Sequence, residues 1–91
     1  MSGPAPGDDV FEFPCDFPIK VMGRDTPEFR SATLAIIERH APALRASDTT
    51  ERPSREGNFI GLTYTIRAES RAQLDAIYQE LSASDVVLVA L

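Results

Sequence analysis

Between Asn58 and Ala68 two sets of side chains alternate: Ile60, Leu62, Tyr64, Ile66 and Ala68 against Phe59, Gly61, Thr63, Thr65 and Arg67. Successive side chains of a strand point to opposite faces, so this stretch predicts a strand with one apolar and one mixed face. Such alternation marks an antiparallel sheet covered on one side. A second alternation, Phe17, Ile19 and Val21 against Pro18, Lys20 and Met22, predicts a strand from about Asp16 to Gly23. Pro18 lacks a donor and suits the start of that strand. Phe13 to Pro18 reads as a proline-punctuated lead-in.

Helical spacing appears twice. Phe29, Ala32, Thr33, Ile36, Ile37 and His40 share one face, with Thr26 as N-cap, Pro27 in the first turn and Pro42 ending the helix near His40. Leu74, Ile77, Tyr78 and Leu81 form the stripe of a helix over Ser70 to Leu81, which Ser70 and Gln73 open as a reciprocal capping box. Leu44 to Arg52 is polar and poorly patterned; it is assigned as a strand because its neighbour needs a partner. Pro53 to Asn58 is the turn between the two. Val86 to Leu91 is almost wholly apolar, which predicts a strand buried on both faces or at an interface. The order strand-helix-strand-strand-helix-strand predicts a ferredoxin-like α+β fold. It has a four-stranded antiparallel sheet in the order 4-1-3-2 and two helices on one face.

The 91 residues, 43% hydrophobic and 25% charged, make one soluble domain. Residues 1–12 contain Asp8, Asp9 and Glu12 with no Lys or Arg, and are expected to be a disordered acidic tail; residues 13–91 are the domain. The net charge of −5 falls mostly on that tail, leaving the domain nearly balanced. Neither part has the basic surface expected of a nucleic-acid binder. No apolar run is long enough to span a bilayer and no signal-like N-terminus is present. A single cysteine, Cys15, fits a reducing cytoplasm.

Candidate chemistry is sparse. Cys15 and the only histidine, His40, make a weak case for a nucleophilic pair, and no ligand spacing points to a metal. Asp48 and Glu51 could work as an acid–base pair, but solvated charges on an edge strand also guard against aggregation. In Ser54-Arg55-Glu56-Gly57-Asn58, backbone N–H groups beside an Arg could hold a small anion. Gly57 and Asn58 equally suit a hairpin closure. Lys20, Met22, Phe59, Gly61, Thr63, Thr65 and Arg67 would share the sheet face away from the helices. That face is open to solvent, a partner, a second copy or a small ligand. Gly57 to Tyr64 echoes an RNA-recognition strand only loosely, because Tyr64 points inward and the charge is acidic.

Two segments carry a family resemblance. Phe13-Pro14-Cys15-Asp16-Phe17-Pro18-Ile19-Lys20-Val21-Met22-Gly23 resembles the F-P-x-x-F-x-Y/I-K-V-M-G opening of the bacterial YbeD-like family, a family of unknown function. Ser54-Arg55-Glu56-Gly57-Asn58-Phe59 resembles its S-x-x-G-N-Y/F hairpin. Arg39 to Pro42 and the apolar stretch closing at Leu91 are also similar. The chain differs at Ile19 and Phe59, where Tyr is common. The resemblance implies a ferredoxin-like domain akin to ACT regulatory modules, with a suggested link to lipoate metabolism. The expectation is a non-catalytic cytoplasmic module with no cofactor. It would bind a protein partner or itself through Lys20, Ser54, Arg55, Gly57, Asn58, Phe59, Gly61 and Thr63. The alternative is an ACT-like sensor of a small molecule.

Overall fold

The computed structural model describes residues 12–91; the acidic tail read at 1–12 lies, but for Glu12, outside them. In chain order the elements are β1 (Cys15–Arg24), α1 (Pro27–His40), β2 (Thr49–Pro53), β3 (Phe59–Ala68), α2 (Arg71–Ala83) and β4 (Val89–Ala90). The strands form one antiparallel sheet ordered β2-β3-β1-β4. This is the expected ferredoxin-like topology. β1 and β3 pair along their whole length, from Cys15 opposite Ala68 to Arg24 opposite Phe59. That register puts Ile19, Val21, Leu62, Tyr64 and Ile66 on one face. There they pack against Phe29, Ile36 and Ile37 of α1 and Leu74, Ile77 and Leu81 of α2.

The helix starts follow from their caps. Thr26 Oγ1 accepts from the Phe29 N–H at 3.0 Å, and Ser70 Oγ accepts from the Gln73 N–H at 3.1 Å. The second half of the expected capping box is different. Gln73 Oε1 accepts from the N–H of Glu69, at 2.6 Å, where the sequence pointed to Ser70. Its Nε2 donates to the His40 carbonyl at 2.8 Å. One glutamine thus closes the start of α2 and ties it to the end of α1.

Two strand expectations change. Leu44 to Asp48 is not strand: Leu44 packs half-buried against the core and Ala46–Asp48 forms a 3-10 turn before β2. Arg45 N–H donates to Asp48 Oδ2 at 2.9 Å and stabilises that turn. The Val86 to Leu91 run is not a strand buried on both faces. β4 has two residues, and Leu88, Val89 and Leu91 are 59%, 43% and 69% exposed. β4 is an edge, and the helices cover only one side of it. Leu91 and Lys20 exchange backbone hydrogen bonds at 2.7 and 3.0 Å, prolonging the ladder.

Gly23 is required by close approach. A Cβ there would sit 2.5 Å from the Phe29 ring and 2.6 Å from the Val86 carbonyl oxygen, so β1 meets α1 and the β4 approach without a side chain between them. Beneath α1, the Tyr64 hydroxyl and Thr33 Oγ1 are 2.8 Å apart, both buried, and Thr33 Oγ1 also lies 2.8 Å from the Phe29 carbonyl. Burial raises the Tyr64 pKa, so this hydroxyl stays neutral and needs a partner. Thr33→Val strands the phenol, whereas Tyr64→Phe leaves Thr33 bonded to its own helix. The expected costs are about 1–3 kcal/mol for the first and roughly 1 kcal/mol for the second, measured by urea denaturation. Equal costs, or the reverse order, would contradict this assignment.

Candidate functional site: the open face of the sheet

The residues left over by the core define the other face. Register places Asp16, Pro18, Lys20, Met22 and Arg24 of β1 beside Arg67, Thr65, Thr63, Gly61 and Phe59 of β3. β2 adds Thr50 and Arg52 opposite Thr63 and Gly61, and β4 adds Val89 opposite Met22. Of the residues singled out from sequence, Lys20, Phe59, Gly61 and Thr63 therefore share one surface. Ser54, Arg55, Gly57 and Asn58 lie in the turn at its end.

Gly61 makes a depression in this surface. Two shallow hollows meet over it, sharing Met22 and Arg52 as walls; Phe59 bounds one, and Val89 and Leu91 bound the other. Met22 is 48% and Phe59 36% exposed, so the rim is apolar and wet. A Cβ at Gly61 would meet only ordinary contacts, the nearest at 3.8 Å. The depression can therefore be filled without displacing the backbone. The Arg24 guanidinium lies 5.3 Å from the centre of the Phe59 ring, in cation–π range.

The hairpin turn spends three N–H groups on its own closure. Ser54 N–H donates to the Phe59 carbonyl at 2.8 Å, Gly57 N–H to the Ser54 carbonyl at 3.0 Å, and Phe59 N–H to Ser54 Oγ at 3.1 Å. Gly57 takes the left-handed φ of 80° that the turn demands. The Asn58 carbonyl accepts from the Asp25 N–H at 3.0 Å, anchoring the turn to the start of α1. This geometry gives Ser54, Gly57 and Asn58 roles in hairpin closure.

The acid–base candidates are neutralised singly. Glu51 accepts two hydrogen bonds from Arg30, at 2.8 and 3.2 Å, which lower its pKa. The Arg45 backbone and guanidinium lower that of Asp48. His40 and Arg39 both pair with Glu80 of α2 and hold its carboxyl below the usual glutamate range. Cys15 packs half-buried against the core at the start of β1. Among the described residues no cluster of three His, Cys, Asp or Glu side chains could hold a metal, and no helix is long and apolar enough to cross a membrane.

Met22, Arg24, Arg52, Val89 and Leu91 complete the face but were not among the chosen site residues. Parity along β1 finds Met22, whereas Arg24 lies one residue past the expected strand end at Gly23 and needed the observed extent of β1. Arg52 and Val89 needed the registers of β2 and β4, which their own patterns do not encode.

Fold and surface together define a small ferredoxin-like α+β domain with a bare, partly apolar sheet face. Residues 8–91 match the model of a family described as a protein of unknown function, DUF493. A UPF0250 protein of Paraburkholderia phytofirmans is 46% identical over 84 residues, covering 92% of this chain and 94% of its own. Another from Neisseria gonorrhoeae is 45% identical, covering 90% of each chain. The chain belongs to this bacterial DUF493/UPF0250 family, in agreement with the YbeD-like resemblance. Among solved structures, the H. pylori protein HP0495 superposes with a TM-score of 0.65 at 14% identity, covering 100% of this chain and 96% of that one. The C-terminal domain of MgtC from Mycobacterium tuberculosis gives 0.58 at 21% identity, covering 90% and 89%. Both likenesses concern the fold.

The Glu80 contact has a pH signature. A carboxyl whose pKa is depressed in the folded state adds stability above its ordinary value of 4.5, and that stability is lost as pH falls through the lower folded value. Glu80→Gln should therefore flatten the fall of melting temperature with acid below about pH 5. An acid limb as steep as that of the unaltered chain would refute the contribution.

Proposed function

We propose that this chain is a regulatory or protein-interaction module that works through its open sheet face, without catalysis. The observation that supports this most is the half-exposed apolar set of Met22, Phe59, Val89 and Leu91 gathered around Gly61. A face of this kind is stabilised when a partner removes it from water, at roughly 25 cal/mol per Å² of apolar surface. Among the described residues no acid, base and nucleophile converge elsewhere: Asp48, Glu51 and Glu80 each already serve an arginine or histidine.

Two substitutions test this reading. Phe59→Asp places a charge on the rim, and Gly61→Val fills the depression. Each should abolish the complex or dimer formed by the unaltered chain, scored by light scattering and by capture from native lysate. Surface changes of this kind should move stability by no more than about 0.5 kcal/mol. Unchanged mass and unchanged capture with both variants would end the proposal.

An ACT-like sensor of a small molecule is the second reading. It draws on a hollow of about 350 Å³ between α1, the 3-10 turn and β2, walled by Leu34, Leu44 and Thr49. Arg30, its main cation, is already committed to Glu51 and Asp25. A sensed amino acid or cofactor precursor should raise the melting temperature in a saturable way. A flat thermal-shift response across such metabolites would remove this reading.

A further inference from the structure

Charge is distributed unevenly over the open face, and this bears on what covers it. Across the paired strands that face carries Lys20, Arg24, Arg52 and Arg67 against the single carboxylate of Asp16. Arg67 is paired with Asp16 at 3.5 Å. Arg30, Arg39, Arg45 and Arg71 are also engaged in ion pairs. Among the described residues, Lys20, Arg24, Arg52 and Arg55 have no carboxylate in ion-pair range. The first three stand on the open face, and Arg55 is in the turn beside Phe59. A chain of net charge −5 has thus gathered its unpaired cations around its exposed apolar hollow.

Resting on the open-face reading above, we infer that the occupant is an acidic segment of another protein that carries an apolar anchor. The anchor fills the depression over Gly61, between Met22 and Val89, and flanking Asp or Glu side chains meet Lys20, Arg24 and Arg52. At physiological salt the screening length is about 8 Å, so a bound segment responds to these cations more than to carboxylates beyond the helices. A second copy is the poorer occupant. A two-fold contact sets the same patch against itself, which would oppose the unpaired cations of the two copies. Single-stranded nucleic acid is also poorer. It stacks its bases on aromatic side chains, and this face offers Phe59 alone amid Met22, Val89 and Leu91.

Selection of displayed random peptides against the purified full-length chain tests the inference. Enriched sequences should place Asp or Glu around a large apolar residue. An enriched peptide should perturb the amide resonances of Met22, Gly61 and Val89 and weaken as salt is raised. The Lys20→Glu/Arg52→Glu double variant, folded by circular dichroism, should bind it roughly tenfold more weakly. No enrichment, enrichment without acidic residues, or undiminished binding by the double variant would overturn the inference. A uridine oligonucleotide that binds more tightly than the best peptide would overturn it too. Binding lost on Gly61→Val but kept in the charge-reversed variant would retain the open-face reading and reject the acidic partner. Binding indifferent to both would reject the two together.

Discussion

The long antiparallel pairing of β1 with β3 is the constraint from which the rest of the structure follows. Each position on these strands is fixed to one face, and a slip of one residue would exchange the faces. With Val21 opposite Leu62, the inward set of isoleucines, leucine, valine and tyrosine receives both helices. The same register puts Met22 opposite Gly61 and Arg24 opposite Phe59 on the other side. Folding and surface chemistry are thus two readings of one ladder. The residues that cannot contribute to the core are the ones the face displays.

Several contacts hold the helical layer in place over that ladder. Thr33 and Tyr64 link α1 to β3 inside the core. Gln73, His40, Arg39 and Glu80 link the two helices at the surface. Arg30 bridges α1 to β2 through Glu51. Most of the polar side chains that first suggest chemistry are taken up by these ties. The lowered pKa values of Glu51 and Glu80 reflect structural pairing with Arg30 and with His40 and Arg39, a reminder that a shifted carboxylate need not be a reactive one.

How much of this was legible in the sequence depended on whether a residue's surroundings are set locally. β1, β3 and both helices could be read because alternation, helical stripes and the Thr26 and Ser70 caps act within a few residues. The Val86 to Leu91 run misled as to burial on both faces, because apolar composition reports preference and not cover; at an edge with helices on one side, the chain itself leaves Leu88, Val89 and Leu91 exposed. Gln73 misled for a related reason. The capping pattern identifies the helix start, but the link to His40 belongs to the packing of two helices. Half of the candidate face was visible as the odd positions of β3 and even positions of β1. Its cationic character was not, because a balanced total charge says nothing about which side of a sheet the balance is struck on.

The cluster of Lys20, Arg24 and Arg52 has a dynamic consequence. Because the paired strands display mostly cations on one side while the molecule as a whole is acidic, the domain has an electrical polarity as well as a net charge. In the field of a negatively charged body such a molecule experiences a torque even while its net charge is repelled. It turns the bare side of its sheet toward that body before contact. Encounter orientation, and not only the strength of the final contact, is thereby written into which strand positions carry arginine and lysine.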